Sequence, residues 1–207
     1  MAATEPTTAK GQKTRARIVQ AAAELVAEKG AVAVSLDDVG ARAGASRSQL
    51  YHYFDDKADL IRAVVAATTT AVLETQNDHL GRLESFAAIA AWFDSLVALQ
   101  EAREARGGCP IGSLVGQLAE RDERARVALE TSFEDWQGHL TSGLSRMRER
   151  GELTPDADPV RLATATMASV QGGLLLSQVR RDPGQLRTAL DAAMIALRAA
   201  AVSRRGT

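Results

Sequence analysis

Within seven consecutive positions the chain places Arg47, Ser48, Gln49, Tyr51, His52 and Tyr53, inside the stretch "GASRSQLYHYFDDKADL". These residue types suit the edges of DNA bases. An arginine donates two hydrogen bonds to guanine, a glutamine pairs with adenine, and a serine serves either base. Tyr51, His52 and Tyr53 carry groups that bond phosphate oxygens or pack along the sugar–phosphate backbone. Lys57 opens the next helical segment, where it adds a phosphate contact. Thr14, Arg15 and Arg17 offer the same from the first helix, and Thr14 and Ser35 are expected at helix N-termini, which attract anions. A plainer reading of the same residues makes Tyr51 and Tyr53 half-buried core aromatics and the polar groups solvated surface.

Three helical segments must hold these groups. In the first, Thr14 caps a helix starting at Arg15; Ile18, Ala21, Ala22, Leu25 and Val26 recur at helical spacing, and Gly30 ends the run. Residues 1–12 read as polar and loose, and Lys10, Lys13, Arg15 and Arg17 form a short basic arm. "SLDD" is a capping-box variant, with Ser35 accepting from a backbone N–H and Asp38 on the first turn. Leu36, Val39 and Ala43 face inward, and Gly44 permits a tight turn. Ser46 caps again, with Gln49 three residues on, so "SRSQ" is a second capping box; Leu50 and Phe54 face the core. A bracing helix, then helix, tight turn and helix within about twenty residues, is the length pattern of a helix-turn-helix.

The segment from Thr14 to Leu60 resembles the DNA-binding domain of the TetR family of transcriptional repressors. The matching residues are "TRARIVQAAAELVAEKG" and "SLDDVGARAGASRSQLYHYFDDKADL". The resemblance implies a homodimer on a near-palindromic operator, with Arg47, Ser48, Gln49, Tyr51, His52, Tyr53 and Lys57 at DNA-contacting positions and Thr14 and Arg15 on the backbone. One departure matters. Many members carry a small Gly-Thr or Gly-Ala pair where this chain has Ser48 and Gln49, so the operator sequence does not carry over.

The rest of the chain reads as helix. Apolar residues make up 45 % and aromatics 4 % of the 207 residues, and Ala and Leu propagate helix at little cost. Helices are expected over about 57–77, 83–103 and 110–118, where Pro110 suits a first turn. One long helix follows over "ERDERARVALETSFEDWQGHLTSGLSRMRERGEL", then two more over about 158–180 and 184–200. The expected fold is all-α with nine helices: an N-terminal trihelical helix-turn-helix domain, residues 1–55, and a C-terminal helical effector and dimerisation domain, residues 56–207.

The net charge of -1 gives no bulk signal for nucleic acid, so the DNA reading rests on local geometry. A single cysteine excludes an internal disulfide framework, and no leader-like apolar core or membrane-spanning run is present, which points to a cytoplasmic protein with no membrane partner. His52, His79 and His139 lack metal-ligand spacing, and there is no phosphate loop or nucleophile elbow, so neither cofactor nor enzymatic activity is expected. A helical module that does not bind DNA is a remote alternative.

Small-molecule control is expected from the middle of the chain. Phe86, Phe93, Leu96, Leu114, Leu118, Phe133 and Trp136 are candidate pocket residues, joined by Met167 and Gln171, although aromatics at this spacing are more often plain core. Gln117, Gln137, His139 and Gln171 are candidate polar anchors, and Trp92 is read as facing outward or toward a neighbouring helix. Cys109, ahead of Pro110, is either a gap-filling residue or a thiol whose reactivity the helix terminus and Arg103 or Arg106 raise. The segment "GCPIGSLVGQLAE" resembles a Gly-Cys segment of a TetR subgroup, some of whose members answer to reactive electrophiles or small unsaturated metabolites. That keeps a thiol-sensing regulator as the alternative. Effector binding is expected to shift the fourth helix and so lower operator affinity. For the dimer seam, Ser169, Gly172 and Gly173 allow close helix approach, and Leu162, Leu176, Leu190, Met194 and Leu197 supply apolar area. The corresponding helices of the family build a four-helix interface.

Overall fold

The structure, a computed structural model, describes residues 6–202. Among the described residues there are ten helices and no strand: α1 (Ala9–Lys29), α2 (Leu36–Ala43), α3 (Arg47–Tyr53), α4 (Lys57–Thr75), α5 (Asn77–Leu80), α6 (Phe86–Ala102), α7 (Pro110–Leu118), α8 (Glu123–Glu149), α9 (Pro159–Arg180) and α10 (Gly184–Ala199). The count exceeds the expected nine because α4 stops at Thr75 and a separate single turn, α5, follows. Packing divides the chain into two compact units, Met1–Val72 with Pro110–Ser132, and Leu73–Cys109 with Phe133–Thr207. The division falls inside α4 and α8.

In the first unit, α1 starts six residues earlier than Thr14–Arg15 implied. Thr8 is its cap, accepting from Gly11 N–H at 3.2 Å. Thr14 lies inside the helix and its hydroxyl donates to the Lys10 carbonyl at 3.0 Å. Of the stretch read as loose, residues 9–12 are helical and 1–5 lie outside the described residues. Ile18, Ala22, Leu25 and Val26 bury one face. Both expected capping boxes are present, Ser35 with Asp38 and Ser46 with Gln49. The turn between α2 and α3 depends on two glycines. Gly44 takes the left-handed conformation at φ 59°, and a Cβ on Gly40 would come within 2.9 Å of the Ala45 carbonyl oxygen. That close approach lets Ala45 N–H bond the Gly40 carbonyl at 2.9 Å and sets α3 across α2. Leu50 and Phe54 are buried, and so anchor the inner side of α3. Further along, Gln117 on α7 accepts from Ala31 N–H at 2.6 Å, and Thr69 on α4 donates to Ser132 on α8 at 2.7 Å.

In the second unit, Ser85 caps α6, and Asp158 caps α9 with Pro159 in its first turn. The long helix α8 spans Glu123–Glu149, shorter than expected at both ends, with Asp122 accepting from Ala125 N–H at 3.0 Å. α9 and α10 form an antiparallel hairpin, and α6 packs on α10 through Asp94 and Arg187, 2.7 Å apart. Trp92 is fully buried rather than outward-facing, because Gln76 Oε1 accepts its indole N–H at 2.8 Å. An isolated antiparallel bridge joins Leu153 to Ala201 and ties the end of α10 to the segment before α9.

Candidate nucleic-acid interface

The outer side of α3 is where the sequence-derived DNA residues meet. Ser46, Arg47, Ser48, Gln49, Tyr51 and His52 are exposed and Tyr53 is half-buried. Tyr51, 47 % accessible, stands outside the core, whereas Tyr53 is half-buried as the plainer reading has it. Both of the chain's tyrosines lie on this one helix. The Arg47 guanidinium lies 5.8 Å from the Tyr51 ring centroid, and His52 meets Tyr53 edge-on with centroids 4.8 Å apart. Hydrogen bonding to Tyr51, then the charge of Asp37, pushes the Arg47 pKa further up, so it is a permanent cation.

Gln49 is less available than its residue type suggests. Its Oε1 accepts from Ser46 N–H at 2.9 Å, while its own N–H donates to Ser46 Oγ at 3.2 Å. Pairing with adenine needs both ends of the amide. With the carbonyl end held in the cap, Gln49 offers outward only its Nε2 donor, which suits an acceptor edge. The first turn of α3 therefore presents a donor-rich set: guanidinium, hydroxyl and amide NH2.

The flanks carry positive charge. Lys10, Lys13 and Arg17 recur on one exposed face of α1, and no acid precedes Glu24 within the described part of that helix. What read as a basic arm is this helix face. Arg15 is half-buried, its guanidinium 5.2 Å from the Phe54 ring centroid, which ties α1 to the end of α3. Lys57 donates to the Val32 carbonyl at 2.8 Å, so one of its three donors is used. Of the two helix ends expected to attract anions, only the one at Ser35 is a helix start. Thr14 is not at an N-terminus, and the N-terminus beside Ser35 already holds the Asp38 carboxylate. Ser35 Oγ donates to that carboxylate at 2.7 Å and Ser35 N–H at 3.1 Å, which holds the Asp38 pKa below the usual carboxylate range; Lys29 adds charge 3.5 Å away.

The candidate effector residues fall in both units. Leu114 and Leu118 are buried in the first, while Phe86, Phe93, Leu96, Cys109, Phe133, Trp136, Met167 and Gln171 belong to the second. Of the expected anchors, Gln117 is a strut in the first unit, also bonding the Ser113 carbonyl at 3.0 Å; Gln137 donates to Thr164 at 3.0 Å; His139 is exposed. Cys109 is buried, and Arg106 pairs with Glu104 at 3.4 Å. A buried thiol behaves as a small hydrophobe. Gln100, which no pattern singled out, is buried at the end of α6.

Three residues assigned to the dimer seam face inward. Gly173 lies against Leu186 and Ala189, and Leu190 and Leu197 are buried in the same subunit. Gly172 and Leu176 are exposed and Leu162, Ser169 and Met194 half-buried. The large apolar side chains left in water on this hairpin are Val160, at the start of α9, Leu175, Leu176 and Val179 toward its end, and Ile195 on α10.

Residues 18–64 match the family described as bacterial regulatory proteins, tetR family, and residues 85–193 match the tetracyclin repressor-like, C-terminal domain. An uncharacterized HTH-type transcriptional regulator in the lacX 3' region of Lactococcus lactis is 30 % identical over 182 residues, 87 % of this chain and 91 % of that one. The transcriptional regulator AcuR of Cereibacter sphaeroides is 28 % identical over 182 residues, 83 % of this chain and 79 % of that one. The crystal structure of a TetR transcriptional regulator from Chloroflexus aurantiacus superposes with a TM-score of 0.77 at 23 % identity, covering 91 % and 96 % of the two chains.

Proposed function

The chain belongs to the TetR family of transcriptional regulators, and from that premise we propose that it represses transcription as a homodimer on a near-palindromic operator and leaves when a small molecule binds. The observation that carries this reading is the two-sidedness of α3. Its inner residue Leu50 and the Phe54 that ends it are 2 % and 1 % exposed, while Arg47, Ser48 and Gln49 stand in solvent at its N-terminal end. Residues near the N-terminus of such a helix do the reading when it lies in the major groove.

In this reading Arg47, Ser48 and Gln49 contact base edges. Tyr51, His52 and Tyr53 contact the backbone, with Arg15, Lys57 and the Lys10–Lys13–Arg17 face beside them. Residues 1–55 form the reading domain, and 56–207 carry effector site and dimer seam. The seam is the outer stripe of α9 with Ile195 of α10, since exposed apolar stripes of this kind are buried between copies. A twofold partner sets two recognition helices about 34–36 Å apart along the duplex. Effector binding in the second unit acts on the first through α4, a continuous helix whose residues are divided between the units. Such a role is not enzymatic and is exercised in the cytoplasm; no described helix is long and apolar enough to cross a membrane.

The test is a mobility-shift titration with Arg47→Ala, Gln49→Glu and Tyr51→Ala. Glutamate keeps the cap acceptor at position 49 and removes the donor. Each change is expected to weaken operator binding at least about fivefold, consistent with ~1–3 kcal/mol per specific contact. Unchanged affinity in folded variants would remove these residues from the interface.

A further inference from the structure

Three buried polar atoms of the second unit have no hydrogen-bond partner: Gln100 Oε1 on α6, Trp136 Nε1 on α8 and Gln171 Nε2 on α9. Gln100 is 2 % exposed and Trp136 1 % exposed. A buried group left without a partner bears its whole desolvation penalty, and native interiors hold few of them. The unit's other tryptophan shows the alternative, since Trp92 Nε1 is satisfied by Gln76 Oε1 at 2.8 Å. Two acceptable donors and an acceptor are thus held ready on three helices.

Two of these atoms lie on neighbouring helices. α8 and α9 run antiparallel and adjacent: Gln137 Nε2 donates to Thr164 Oγ1 at 3.0 Å, and Arg148 donates to the Ala157 carbonyl at 3.1 Å. In that register the Phe133–Trp136 turn of α8 is level with 165–168 of α9, and Gln171 lies one turn further. Gln100 sits in the last turn of α6, which packs on α10, and the loop that follows α6 reaches α9 where Gln178 lies against Gly108. Among the described residues no Asp, Glu, Lys, Arg or His is buried, so a charged ligand would find no counter-charge inside.

Resting on the effector reading above, we propose that Gln100, Trp136 and Gln171 are the polar contacts of the effector site and that the effector is uncharged, with one group that both donates and accepts, as a carboxamide does. Its oxygen accepts from Trp136 and Gln171, and its N–H donates to Gln100. The apolar remainder of the molecule packs on Phe133 and Met167.

The experiment uses the full chain and two isosteric sets: benzamide, benzoate and benzamidine, and isobutyramide, isobutyrate and isobutylamine. Melting temperature and operator release are read for wild type, Gln100→Met and Gln171→Met. Methionine keeps the side-chain length and removes the polar group. In at least one set the neutral amide is expected to give the largest melting shift. Each methionine variant is expected to need at least tenfold more amide for the same shift, measured from its own ligand-free melting point. The proposal is overturned if a charged member stabilises as well as the amide, if no member of either set shifts melting, or if the variants respond like wild type. It is also overturned if the variants lose ligand-free stability with an unaltered amide response, the signature of atoms satisfied by buried water. Failure of the regulator reading shows separately, as no operator binding by the ligand-free wild type; an amide that shifts melting without releasing DNA removes the release step alone.

Discussion

The reading head and the α6–α9 region treat polar groups in opposite ways. On α2 and α3 the buried side is apolar, and the polar groups at the helix starts are satisfied by partners three residues away, Ser35 with Asp38 and Ser46 with Gln49. In the second unit, beside local caps at Ser85 and Asp158, some satisfied groups depend on distant partners, Trp92 with Gln76, Gln137 with Thr164 and Arg187 with Asp94, while Gln100, Trp136 and Gln171 keep an atom without one. On the functional reading proposed above, the part that meets DNA is held by local bonds, and the part that meets the effector holds bonds in reserve.

The strongest way to break this comparison is to remove the inner anchor of the head. Phe54→Ala is expected to cost about 3–5 kcal/mol in a urea melt and to abolish operator binding, because a large buried ring leaves a cavity. An effect below about 1 kcal/mol would show that α3 does not depend on that core. The contrast between satisfied and reserved groups is sharpened by a pair. Gln76→Leu strands the Trp92 N–H and is expected to cost about 1–3 kcal/mol, whereas Gln100→Met removes an unpartnered atom and is expected to leave the ligand-free protein equally or more stable. Equal losses in both would erase the distinction. The smallest effect is electrostatic. The folded Asp38 pKa lies below its ordinary 3.8, so its stabilisation is full above about that pH and is lost as pH falls through the lower folded value. Ser35→Ala is expected to lower stability slightly at pH 7, with the difference from wild type closing in acid. A gap that widens below pH ~4 would contradict the assigned cap.

Local chemistry explains what was legible in the sequence. Capping boxes, the Gly44 turn and the Pro110 start depend on partners within a few residues, the inward Leu50 and Phe54 follow from helical spacing, and each is found in place. Thr14 does not cap α1 because Thr8 offers an equivalent cap one and a half turns earlier, and only the helix itself chooses between them. α5 is a single turn with no pattern of its own. Periodicity identified the apolar faces of α9 and α10 but not what each meets, so Gly173, Leu190 and Leu197 were placed in a seam when they close the subunit's own hairpin. Gln100 gave no signal because its meaning lies in the absence of a partner.

The most direct measurement of the central claim is selection from a random duplex pool by wild type and Arg47→Ala side by side. The expected result is an inverted repeat enriched by wild type, with half-site centres about one helical turn or a multiple apart, and a loss or relaxation of one position per half-site in the variant. No enriched site for wild type, or the same site at the same affinity for Arg47→Ala, would contradict it.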